Sequence, residues 1–98
     1  IASDGLFPIR AEIPPIPEYL KIAEKYDGAV WVDDAHGVGI LGEHGRGVYD
    51  YFQLNSERLF MGATLSKAFG AYGGFITGNT QFINLVKSGN VMTGTSSP

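Results

Sequence analysis

Hydrophobic residues change their spacing several times along the chain, and each change marks an element. Ile16, Tyr19, Leu20, Ala23 and Tyr26 recur at helical intervals, with Glu18 near the start and Gly28 just past the end, which predicts an amphipathic helix over 16–26. Upstream, "SDG" and the Pro-bounded "FPIRAEIPP" predict loop over 1–14, because each proline fixes its own φ and pushes its predecessor toward extended geometry. Downstream, helical spacing gives way to an unbroken apolar run from Ala29 to Val32 that ends at Asp33. Short and partly β-branched, that run predicts a strand covered on both faces within a parallel sheet.

Gly37, Gly39, Gly42, Gly45 and Gly47 then crowd one short stretch, which describes a tight irregular loop beside a ligand or a packed backbone rather than a linker. Val48 to Phe52 is read as a short helix, and Leu59 to Ala63 and Gly74 to Thr77 as two further strands. Asn79 or Thr80 caps a last helix with an apolar face of Phe82, Ile83, Leu85 and Val86, ending at Gly89. Strands alternating with helices through short connections place the chain in the α/β class.

At 98 residues, 44% hydrophobic and 17% charged, the chain has material for one small domain with a modest core. It begins on Ile1 within what reads as an ongoing segment and stops at "TSSP", so a piece of a longer polypeptide is expected. A net charge of -3, with seven unclustered Lys plus Arg, gives no footprint for nucleic acid or for an anionic membrane surface. The absence of cysteine removes disulfides and thiolate metal sites and fits a cytoplasmic protein. No apolar run approaches the length of a membrane span.

In open α/β sheets ligands gather at the carboxyl ends of strands, which directs attention to two positions. Asp33 and His36 follow the first predicted strand; Lys67 follows the second, among Ser66, Ala68, Gly70 and Ala71. Taken alone, Lys67 reads as a solvated loop lysine. Read with Asp33 it gains a second meaning. Pyridoxal phosphate needs a lysine for its aldehyde and an acid for its pyridine nitrogen, since the protonated ring is the stronger electron sink. Ala35 stands where a flat ring needs a small neighbour, and His36 where a donor to the phenolic oxygen is wanted.

"VDDAHGVGILGEHGRG", "MGATLSKAFGAYGGFITG" and "TGTSSP", in that order over residues 29–98, resemble the α-oxoamine synthase family of fold-type I pyridoxal phosphate enzymes. The resemblance implies the central part of a cofactor-binding large domain over residues 1–98, a mainly parallel sheet flanked by helices. It implies a homodimer with shared sites that joins an amino acid to an acyl-CoA thioester, usually with loss of carbon dioxide. Residue by residue, it implies that Asp33 pairs with the pyridine nitrogen, Ala35 packs on the ring, and His36 reaches the phenolic oxygen and helps position substrate. Lys67 would hold the cofactor as the internal aldimine and shuttle protons. Thr64 would bind the phosphate, and Thr95 the phosphate of a neighbouring subunit. Asp34 matches a position that is usually acidic and has no assigned cofactor contact.

The chain departs from the family where "SMDGD" usually stands: here "ASDG" puts Ala2 in the serine's place and Ser3 one residue along, and the segment after Gly5 is longer than usual. Competing readings are weaker. "DDAH" resembles a helicase acidic box, but no Gly-rich loop ending in Gly-Lys-Ser/Thr accompanies it. A metal site from Asp33, Asp34, His36 and His44 follows no familiar zinc spacing, and none is expected. Aminotransferases commonly place tyrosine where His36 stands, and a non-catalytic family subunit would tend to lack Lys67.

Overall fold

The computed structural model describes residues 1–89. Its elements are β1 (Ala2–Asp4), α1 (Ile16–Lys25), β2 (Val30–Asp33), α2 (Val48–Tyr51), β3 (Leu59–Thr64), β4 (Gly74–Thr77) and α3 (Thr80–Ser88). They form one four-stranded sheet in the order β1-β2-β3-β4. β1 and β3 both run parallel to β2, with Val30 opposite Leu59 and Asp33 opposite Gly62, while β4 runs antiparallel to β3.

Strand alternation sorts the side chains into two layers. Val30, Val32, Leu59 and Met61 are buried on one face, where Ile16 and Ala23 of α1 and Val48 of α2 complete the core. Ile16, Val30, Val32 and Val48 have no exposed surface at all. Burying each such aliphatic side chain is worth about 1.5–3 kcal/mol, so these few positions fix how α1 and α2 sit on the sheet. α3 covers part of the opposite face, where the Phe82 and Phe60 rings meet with centroids 4.4 Å apart.

α1 ends at Lys25, and the left-handed residue just past it is Asp27 at φ 51, with Gly28 following. Gly28 donates its amide to the Ala23 carbonyl at 2.7 Å, and Arg58 holds the same corner through the Gly28 carbonyl and the Asp27 carboxylate, each at 2.8 Å. At the far end of the chain Asn79 caps α3 as expected, accepting the Phe82 amide at 2.8 Å.

Two expectations are corrected. The loop predicted over 1–14 contains β1, a strand too short and too polar to show any period; backbone bonds define it, from Trp31 N to Ile1 O and from Gly5 N to Asp33 O, both 2.8 Å. β2 is covered on one face only among the described residues, with Trp31 and Asp33 exposed on the other. No described helix is long and apolar enough to cross a membrane.

Candidate active site

Two strand ends on the α3 side of the sheet carry the polar residues singled out from the sequence. β2 delivers Asp33 to that side, and its Oδ1 accepts the Ala35 amide at 3.1 Å, which fixes the turn leading to His36. β3 ends at Thr64, and the following turn is closed on itself by bonds from Leu65 N to Gly73 O, from Ala71 N to Leu65 O and from Gly70 N to Lys67 O, all within 2.9–3.0 Å. That turn presents Lys67. The Thr64 hydroxyl lies 2.8 Å from the Ser66 hydroxyl, accepts the Ser66 amide at 3.2 Å and reaches the Gly73 carbonyl at 3.2 Å.

These ends open into one cavity of about 740 Å³. Asp33, Ala35, Thr64, Ser66 and Lys67 line it, with Trp31 and Phe75 as aromatic walls and Ile83 and Val86 contributed by α3. Gly62 is part of the design: a Cβ there would stand 3.0 Å from Cζ2 of Trp31, so the indole lies over a residue with no side chain. Asp33 also borders a second opening, beside Ser3, Asp4 and Tyr19.

His36 is half-buried beside Ala35 and is not among the residues that line the larger cavity. Thr95 lies outside the described residues. The pairing of Ala2 with Trp31, Ser3 with Val32 and Asp4 with Asp33 puts Ala2 and Asp4 on the Asp33 side of the sheet and turns Ser3 the other way. A hydroxyl at Ser3 therefore does not replace one at position 2. Ser66 and Trp31 were not singled out from the sequence, although strand parity two residues before Asp33 marks Trp31, and the hydroxyl two residues after Thr64 marks Ser66.

Asp34 takes the opposite direction from Asp33. Its side chain is completely buried, and Oδ2 accepts the Val48 amide at the start of α2 at 2.8 Å. Oδ1 has no hydrogen-bond partner among the described residues, although the nearby Gly37 amide favours its charge. Burial, reinforced by the neighbouring charge of Asp33, pushes its pKa up to about 6. Gly5, Gly37 and Gly47 wall the carboxylate in: a Cβ at any of them would approach one of its oxygens to 2.1 Å or less.

His44 is not free to join the acids. Its amide and ring nitrogen both bond to Asp50, at 2.5 and 3.2 Å, and the amide holds the Asp50 carboxyl below its ordinary range. Among the described residues no three His, Cys, Asp or Glu side chains form a group able to hold a metal ion.

Residues 10–96 match the family described as aminotransferase class I and II, and the chain belongs to that family. Within it, the chain is 47% identical over 87 residues to 8-amino-7-oxononanoate synthase of Thermosipho melanesiensis and 49% identical to that of Petrotoga mobilis, covering 89% of this chain and 22% of each relative. Its fold matches Sphingomonas wittichii serine palmitoyltransferase with a TM-score of 0.77 at 31% identity, over 88% of this chain and 22% of that one. A high-resolution structure of serine palmitoyltransferase with the PLP internal aldimine gives the same TM-score at 34% identity and the same coverage. The 8-amino-7-oxononanoate synthase of Francisella tularensis follows at 0.71 and 28%, over 90% and 26%. These matches bear out the resemblance to the α-oxoamine synthases and the fold expected from it. The chain spans about a fifth of the length of the curated relatives it matches, 22% in each.

Proposed function

We propose that this chain supplies the acid, the lysine and part of the phosphate site of a pyridoxal phosphate-dependent acyltransferase, as the central part of its cofactor-binding large domain. The reaction joins an amino acid to an acyl-CoA thioester, usually with decarboxylation, in a cytoplasmic homodimer with shared sites. One observation carries the reading: Asp33 and Lys67, far apart in sequence, line a single cavity together with a small residue and two hydroxyls. That donor set fits the group, with an anionic acceptor for a protonated ring nitrogen, an amine for a carbonyl and hydroxyls for a phosphate.

When bound, pyridoxal phosphate supplies an electron sink for negative charge at the α-carbon of an amino acid. The chain's own residues do the rest. Asp33, kept in place by the Ala35 amide, holds a proton on the ring nitrogen. Ala35 leaves room for a flat ring, and Thr64 and Ser66, already joined hydroxyl to hydroxyl, offer donors to the phosphate. Lys67 fixes the cofactor through its amine and later, as a neutral base, takes the proton from the substrate α-carbon. The family resemblance assigns substrate positioning to His36, in the turn beyond Ala35, and the phosphate across the dimer to Thr95.

The test uses the full-length protein. Added pyridoxal phosphate is expected to give a visible band that borohydride fixes to Lys67, and a screen of glycine, alanine and serine with several acyl-CoAs is expected to reveal turnover. Lys67→Ala should lose the band and the fixation. A band that survives in Lys67→Ala and still reacts with borohydride, or unchanged turnover in Asp33→Asn, overturns the assignment.

A further inference from the structure

The glycine loop that follows β2 leans on the turn that carries Lys67. A Cβ built on Gly39 would stand 2.7 Å from the Ala68 Cβ and 3.6 Å from Cζ of Phe69, so the backbone of one loop touches the two residues that follow the lysine. Gly39 holds φ +83, and its amide is satisfied within its own loop by the Gly45 carbonyl at 2.8 Å. Val38 and Arg46 bridge antiparallel beside it, which makes the loop a short closed hairpin.

Asp34 roots that hairpin at both ends. Its carbonyl accepts the Gly37 and Val38 amides at 3.1 and 3.0 Å, and its carboxylate accepts the Val48 amide at 2.8 Å where the loop runs into α2. The lysine turn is likewise closed on itself through Leu65, Ala71 and Gly73. Two locally rigid units therefore meet where Gly39 faces Ala68.

We propose that the contact of Gly39 with Ala68 is a spacer that sets the separation of Lys67 from Asp33, which makes Gly39 a positioning residue for the cofactor site. The inference rests on the reading of Lys67 given above. The hairpin is rooted one residue beyond Asp33, and Gly39, beside its closing bridge, abuts the residue next to Lys67, so the gap between acid and amine follows the width of this contact. Ordinary van der Waals contact begins at 3.4 Å, so an alanine at position 39 has to displace one unit by about 0.7 Å or more, and misplacements near 1 Å cost about 100-fold in rate.

The experiment compares full-length wild type, Gly39→Ala, Ala68→Gly, the Gly39→Ala/Ala68→Gly double variant, Ala68→Val and Lys67→Ala. It reads the rate of borohydride fixation of pyridoxal phosphate, the pH midpoint of the lysine-dependent band and the melting temperature. Gly39→Ala and Ala68→Val are expected to slow fixation about tenfold or more and to move the midpoint. Ala68→Gly should restore both in the Gly39→Ala chain by vacating the space. Ala68→Val approaches from the other side with no demand for positive φ, so it still decides the matter if Gly39→Ala fails to fold. Wild-type fixation in Ala68→Val overturns the spacer, as does a Gly39→Ala defect that Ala68→Gly leaves in place, since that defect is backbone strain. A band that persists in Lys67→Ala overturns the reading of the site instead, and the two failures are thereby separate.

Discussion

Gly47→Ala tests whether the buried carboxylate of Asp34 is held as tightly as its surroundings imply. Gly47 sits at φ 79 and ψ -154, a region essentially reserved for glycine, and a side chain there costs about 1–3 kcal/mol in backbone strain. Its new Cβ would lie 1.8 Å from Oδ2 of Asp34, so the carboxylate must swing away from the Val48 amide it now binds at 2.8 Å. A hydrogen bond to a charged group contributes about 1.5–3 kcal/mol, which brings the expected loss to about 2.5–6 kcal/mol. Urea denaturation of the full-length protein, followed by circular dichroism, measures it. Asp34→Ala removes both the collision and the bond, so in that background Gly47→Ala should cost only the backbone part. The pair should therefore depart from additivity by about 1.5–3 kcal/mol. Effects that add to within about 0.5 kcal/mol would show that the two residues do not meet as described.

The raised pKa of Asp34 carries a pH prediction with a definite sign. Between its ordinary 3.8 and about 6 the folded state binds more protons than the unfolded state, so the stability this group contributes falls as pH rises through that window and is level above it. The full effect is about 3 kcal/mol, and Asp34→Asn should remove that part of the slope when urea midpoints are compared at pH 4.5 and 7.5; an identical slope in the variant contradicts it. Gly62→Val should push the Trp31 indole, only 3.0 Å from the position of the first added carbon, into the larger cavity. Weaker binding of pyridoxal phosphate by at least about tenfold is expected by fluorescence titration, roughly the 1.4 kcal/mol that a lost wall of the site represents; unchanged affinity would place the ring elsewhere.

Much of the frame was readable because its elements are punctuated by chemistry that acts locally. The helical spacing from Ile16, the apolar run into Asp33 and the Asn79 cap each declare themselves within a few residues, and each is found within a residue or two of its expected bounds. β1 was not readable, since three residues with no apolar alternation become a strand only through bonds to β2, a partner that the local sequence does not mention. The same distinction governs the site. That Asp33 and Lys67 follow strand ends was legible from where the apolar runs stop. The cradle of Gly5, Gly37 and Gly47 around Asp34 was not, because those glycines come from three separate segments and share a purpose only after folding. Five glycines in one loop announced close packing, but they did not say against what.

The two adjacent acids at the end of β2 give no redundancy. Pleating sends Asp33 toward solvent and a large cavity and Asp34 into the closed interior, so identical functional groups a single peptide unit apart work under different dielectrics and answer to different neighbours. A one-residue deletion within the strand would exchange their surroundings and turn the cavity-facing charge into the interior, whereas a length change in the loop ahead of α1 leaves the order intact. Anyone grafting this acid pair onto another scaffold must transplant its parity together with its letters.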